Sequence, residues 1–163
     1  MAIARIHWQN DIPQNPVDEE RLRQIADAVL TQEGQTTAEM TLVLTDDATI
    51  QELNRTFRQV DSPTDVLAFP TAEGADFVLP PDLPPYLGDV IISYPTALAQ
   101  AEAQGHPVDQ ELTLLIVHGC LHLLGYDHET EEERQRMWAR QEALCAQLAA
   151  KEDDLPPDAH HPA

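Results

Sequence analysis

Hydrophobic and polar positions along this chain fall into two periods, and the changes between them mark out most of the fold. Ala2, Ala4, Ile6 and Trp8 alternate as one face of a half-buried strand. Leu22, Ile25, Ala26, Val29 and Leu30 then recur with the spacing of an amphipathic helix, with Asn15 and Pro16 as its expected cap and first position and Gly34 as its stop. Met40, Leu42 and Leu44 alternate again as a second strand. Asp46 or Asp47 is placed to cap a helix that turns Ile50, Leu53 and Phe57 inward.

Asp61 to Thr64 is a turn cluster, and Asp65 to Phe69 a short strand. Pro70 to Pro85 holds five of the thirteen prolines and is expected to be a long loop. Gly88 to Ile92 has the apolar run of a buried strand. A helix opens at Pro95 and ends near Gly105. Another follows Pro107, capped by Asp109, and runs through Leu124 to a stop at Gly125; Glu129 to Ala150 forms the last helix. The fold class expected is α+β: one domain, with a small mixed sheet of about four strands packed with about five helices. Residues 1–150 make up that domain, and 151–163 are expected to be a flexible acidic tail.

Composition narrows the function. The 163 residues carry 9 Lys and Arg against 29 Asp and Glu, a formal charge of -20, which argues against a broad basic face for gripping nucleic acid or anionic lipid. Two cysteines, Cys120 and Cys145, rule out a disulfide-dense scaffold and fit a reducing compartment. With neither a signal-peptide pattern nor a stretch near the ~20 apolar residues of a membrane span, the protein is expected to be cytoplasmic.

Chemistry concentrates in residues 118 to 128, His-Gly-Cys-Leu-His-Leu-Leu-Gly-Tyr-Asp-His. His118 and His122 are four apart on a helix, so their rings share a face, and Gly125 can turn the chain so that His128 returns towards them. Three converging imidazoles suit a zinc ion with an open position for water, the arrangement of a catalytic site. One class of zinc peptidases has this spacing, but places a Glu general base directly after the first His; here that residue is Gly119. Cys120, two residues from each helical His, is on the wrong face to be a fourth ligand.

The same residues carry a family resemblance. His118 to His128 resembles the H-G-x-L-H-L-x-G-Y-D-H signature of the YbeY endoribonucleases. Leu53 to Arg58 with Asp61 and Pro63 to Pro70, and Gly88 to Ile92, resemble two further blocks of that family. Phe57 stands where Tyr is common, and Ala68 where Ser is usual. The resemblance implies a zinc-dependent, single-strand-specific endoribonuclease acting on the 3′ end of small-subunit ribosomal RNA and in ribosome quality control. Its partners would be single-stranded ribosomal RNA and ribosome or small-subunit assembly proteins, with no membrane.

By the same resemblance, one zinc ion per chain falls to His118, His122 and His128, and the functional arginine is Arg58. A guanidinium there can hold a phosphate by two parallel hydrogen bonds; the plain alternative is a surface arginine paired with Asp61 or Asp65. Arg55 is an auxiliary phosphate contact or a solvated neighbour. Asp89 or Asp127 is a candidate to orient a ligating histidine, although Asp127 could equally cap the last helix. Two rival functions stay open: a peptidase or amidase on a similar zinc site, and a non-catalytic ribosome-assembly factor whose zinc only holds shape. No Lys or Arg occurs between Arg58 and Arg134, a stretch with 14 acidic residues, so positive charge at the site would come from the metal, Arg58 and Arg55.

Overall fold

The computed structural model describes residues 5–71 and 84–152. Nine elements follow in the expected order: β1 (Ile6–Asn10), α1 (Glu19–Gln32), β2 (Glu39–Thr45), α2 (Asp47–Arg58), β3 (Val66–Pro70), β4 (Tyr86–Ser93), α3 (Tyr94–Gln104), α4 (Val108–Leu123) and α5 (Glu131–Glu152). The strands form one mixed sheet in the order β1-β2-β4-β3, with β1, β2 and β4 parallel and β3 antiparallel at one edge. The fold is α+β. Most of the expected loop at Pro70 to Pro85 and most of the expected tail at 151–163 lie outside the described residues; Lys151 and Glu152 continue α5.

Helix boundaries differ from the sequence pattern where side-chain chemistry decides them. Asp18, not Asn15, caps α1: its carboxylate accepts from the Arg21 amide at 3.2 Å and places Glu19 and Glu20 in the first turn, where the helix dipole favours negative charge. Asp46 caps α2 through the Thr49 amide at 2.8 Å. Ser93, just ahead of Pro95, caps α3. Asp109 lies inside the first turn of α4, whose cap position is Pro107. At α5, Thr130 and Glu133 each bond the other's backbone amide at 3.1 Å, a reciprocal cap that starts the helix two residues later than expected.

Phe57 points outward, contrary to the expected inward stripe of α2, and is 62% exposed. The buried positions of α2 are Ile50 and Asn54, and the Asn54 amide donates to the Ser62 carbonyl at 3.0 Å, tying the helix to the turn before β3. The exposed Phe57 ring meets the ring of Phe69 on β3 edge-on, with centroids 5.5 Å apart. Gln59 then takes a left-handed conformation at φ 60°, which ends the helix.

Helix α4 is the centre of the molecule, packing against α1, α3, α5 and strands β3 and β4. Leu112, Leu115, Ile116, Val117 and Leu121 are buried in the main core, so α4 is apolar nearly all round. It lies hard against the sheet at Gly119. A Cβ there would lie 2.6 Å from Val90 Cγ1 and 3.1 Å from Val90 Cγ2, inside van der Waals contact. Hydrogen as the side chain is what lets the helix sit this close to β4.

Candidate active site

The end of α4 builds the site. His118 and His122, one turn apart, have ring centroids 4.7 Å apart and their Nε2 atoms 3.1 Å apart. After Leu124 the chain turns on Gly125 at φ 100°, with Gly125 N–H donating to the His122 carbonyl and Tyr126 N–H to that of Leu121. This double closure is a Schellman motif, and the left-handed residue it requires is why glycine stands at 125. It carries His128 back over the helix end, where its ring lies 5.1 Å from that of His122 and 6.0 Å from that of His118.

The ligand nitrogens of all three histidines fall within 4.8 Å of one another. Two nitrogens held about 2.0–2.1 Å from one tetrahedral ion are separated by about 3.3 Å, close to the spacing of the two Nε2 atoms. Burial, then the neighbouring His118 and His128, push the His122 imidazole down to about 4; the Asp127 charge and a bond to the Tyr126 backbone oppose the shift without reversing it. At neutral pH His122 therefore keeps the lone pair a metal needs. The three residues fit a metal ion.

A residue the sequence reading did not single out completes this centre. Gln141 on α5 is 1% exposed, and its Oε1 lies 2.9 Å from Nδ1 of the fully buried His118. An amide oxygen can only accept, so Nδ1 carries the hydrogen and Nε2 is left with the lone pair that could bind an ion. The signal was present: Gln141 interrupts the apolar stripe Met137, Leu144, Cys145 of α5, where a polar residue needs a buried partner.

Of the other expected groups, Asp127 lies at the site: its carboxylate accepts from the His128 amide at 2.8 Å. Asp89 does not. It accepts from the Tyr86 hydroxyl at 2.5 Å and follows the alternation of Ile91, on the sheet face away from α4. Cys120 is fully buried, lies 3.7 Å from the Met40 sulfur, and its thiol is pushed up to about 12 by burial. Asp127, Glu129 and Glu133 also cluster, but Asp127 and Glu133 are already used by the backbone of His128 and Thr130.

Beside the histidines opens a cleft of about 810 Å³, lined also by Asn54, Arg58, Thr64 and Ala68. Arg58 pairs with neither Asp61 nor Asp65 in the bonds that fix it. Asp61 accepts from Gln51, and Asp65 from the Val66 amide and Gln100. Its Nη2 donates to the Ala68 carbonyl at 2.5 Å, and its guanidinium carbon stands 5.4 Å from the centre of the Phe69 ring. Arg55 is paired with Glu52 on the exposed side of α2, away from the residues lining the cleft.

Strand β3 forms one wall of this cleft. Ser93 N–H bonds the Asp65 carbonyl and Thr71 N–H that of Leu87, so positions 65, 67, 69 and 71 face β4 through their amides. Val66, Ala68 and Pro70 turn their backbone groups to the free edge. There the Val66 amide is taken by Asp65, the Ala68 carbonyl by Arg58, and Pro70 has no N–H. The edge is largely closed to strand addition.

Three histidines at a helix end that could hold a metal ion, in a cleft with one anchored arginine, suit a metal-dependent hydrolase. The family profile described as Endoribonuclease YbeY matches residues 7–149. An Endoribonuclease YbeY of Moorella thermoacetica is 49% identical over 143 residues, covering 80% of this chain and 88% of that protein. One of Syntrophotalea carbinolica is 43% identical over 148 residues, covering 90% and 97%. The chain belongs to the YbeY endoribonuclease family. The solution structure of a Thermotoga maritima protein matches in fold with a TM-score of 0.60 at 23% identity, over 95% of this chain and 99% of that one.

Proposed function

We propose that this protein is a zinc-dependent endoribonuclease that cuts single-stranded RNA, in the cytoplasm, at the 3′ end of small-subunit ribosomal RNA and in ribosome quality control. Residues 1–150 form the catalytic domain, His118, His122 and His128 hold zinc, and Arg58 engages the scissile phosphate. The observation that carries this reading is the shared cleft: three imidazoles and one strand-anchored guanidinium line the same cavity. An all-nitrogen set of three histidines suits zinc over the harder, oxygen-seeking cations.

Zinc bound there supplies a Lewis acid that lowers the pKa of water and polarises a phosphoryl oxygen. The chain's own groups do the rest. Gln141 fixes the tautomer of His118. Arg58, with one N–H on the Ala68 carbonyl and its face on Phe69, is held in place before substrate arrives, so little side-chain entropy remains to be lost when its other N–H groups meet a phosphate. Asp127 places a negative charge beside His122 and orients the loop of His128.

Single-stranded RNA is favoured because the acidic chain offers no basic track for two duplex backbones, while one strand can enter the cleft and meet one arginine. Ribosomal partners would then position the RNA. The peptidase alternative is disfavoured twice. Position 119 has no room for the Glu base, and the β3 edge that a substrate peptide would pair with is taken by Asp65, Arg58 and Pro70. A purely structural metal fits poorly with an ion site opening on so large a cavity.

The reading is tested by presenting the zinc-loaded protein with single-stranded RNA, duplex RNA and peptide. Cleavage of the single strand alone is expected. Peptide turnover without RNA cleavage would move the assignment to the peptidase class.

A further inference from the structure

The free edge of β3 carries a donor that no side chain supplies. Opposite β4, Asp65, Leu67, Phe69 and Thr71 occupy the hydrogen-bonded positions, so both backbone groups of Ala68 point away from the sheet. Its carbonyl is occupied by Arg58 Nη2 at 2.5 Å, while among the described residues no bond takes its N–H. The Ala68 side chain faces α4 and is 8% exposed, and the residue lines the cleft together with His118, His122 and His128.

We propose that the Ala68 amide is a phosphate-binding group of the active site. It would donate to the same non-bridging oxygens that Arg58 engages. This rests on the reading of Arg58 as the arginine that meets the scissile phosphate.

In an extended residue the N–H and C=O project side by side from the same edge. A guanidinium bonded to the Ala68 carbonyl therefore stands beside the Ala68 N–H, and the arginine's remaining donors are directed into the same space. Among the described residues three backbone groups of this edge are left over, the Val66 and Pro70 carbonyls and the Ala68 amide, and an anion can use only the amide. Asp65 on the Val66 amide and the missing N–H of Pro70 leave Ala68 as the one backbone donor that β3 turns to its free edge. A donor fixed by a sheet needs no reorganisation as charge grows on a phosphoryl oxygen, which is where such a donor contributes most.

The arrangement also gives the Arg58–Ala68 bond a purpose beyond closing the edge. It holds the guanidinium of the cleft beside a donor fixed by the sheet. A phosphate would then meet a two-part clamp, with one part from the end of α2 and the other from β3.

The test removes the donor without altering the side chain: Ala68 is replaced by its α-hydroxy acid, so that an ester oxygen stands where the N–H was. The outward amide makes no ladder bond, so the sheet loses only some strength at the Leu67 carbonyl, which becomes an ester carbonyl. The zinc-loaded ester protein is expected to keep its metal content and a melting temperature near that of the parent. Its kcat/KM on single-stranded RNA is expected to fall about 10²–10³-fold, as for loss of one oxyanion donor.

If parent and ester proteins cleave RNA equally, the assignment of Ala68 is overturned and the endoribonuclease reading stands; if the parent does not cleave RNA, both fail. Should the ester chain not fold, the parent is titrated with a single-stranded oligodeoxynucleotide and followed by amide NMR. The Ala68 proton is expected to move downfield more than those of Leu67 and Phe69. Binding that leaves Ala68 unmoved would overturn the proposal.

Discussion

Replacing Gln141 by leucine separates the support of the metal centre from the metal centre itself. Gln141 and His118 are 1% and 0% exposed, so no solvent stands ready to replace the lost acceptor on Nδ1. In the metal-free protein the imidazole can respond by moving its proton to Nε2, which lies 3.1 Å from His122 Nε2. Metal binding forbids that escape, because Nε2 must then carry the lone pair. The cost of a buried donor deprived of its acceptor, about 1–3 kcal/mol, therefore falls mainly on the metal-bound state.

A penalty of that size corresponds to a loss of about 5- to 150-fold in metal affinity, which brackets the 10- to 100-fold typical of second-sphere partners. Q141L is therefore expected to bind zinc that much more weakly in competition with a fluorescent chelator, with a smaller change in the melting temperature of the metal-free protein. Gln141→Glu, which restores an acceptor, is expected to recover the affinity. Zinc binding as tight in the leucine variant as in the parent would show that the His118–Gln141 bond does not set the ligating tautomer.

Three further outcomes follow from the same geometry. Gly119→Ala gains about 1 kcal/mol of helix propensity but drives a methyl into Val90, an overpacking cost of about 1–3 kcal/mol, so chemical denaturation should show a net loss of up to about 2 kcal/mol. His122 is neutral in the folded protein down to about pH 4, while an unfolded histidine takes up its proton near 6.5. Metal-free protein should thus lose stability as pH falls from about 6.5 towards 4 and show no contribution from this group above that window, which melting curves across the range would reveal. With one arginine at the cleft and a chain charge of -20, affinity for free single-stranded RNA should be weak and its salt dependence shallow, as fluorescence anisotropy at two salt concentrations would measure.

The order and type of all nine elements were legible because each presents a clean period: alternation at Met40, Leu42 and Leu44, a helical stripe from Leu22 to Leu30. The cluster of three histidines was legible for a local reason. His118, His122, Gly125 and His128 lie within eleven residues, and helix and turn geometry alone bring them together. What could not be read depends on contacts between distant segments. Gln141 meets His118 only because α5 folds across α4. Phe57 stays exposed against the Phe69 ring of β3 while Ile50 and Asn54 take the buried positions of α2, which no periodicity within the helix encodes. The cap at Asp18 rather than Asn15 was a choice between two similar local signals, decided by where Leu22 must enter the core. The role of Gly119 becomes physical only once Val90 is known to face it, and the position of Arg58 only once β3 is seen to be the edge strand.

The most direct test of the central claim is RNA cleavage measured beside metal content in the parent, His122→Ala and Arg58→Ala proteins, each stripped of metal and then reloaded with zinc. The account predicts that stripping abolishes cleavage by the parent and that zinc restores it. His122→Ala should neither hold the ion nor cleave, and Arg58→Ala should hold it yet cleave about 10²-fold more slowly or worse. Undiminished cleavage by both variants, or by stripped parent protein, would contradict it.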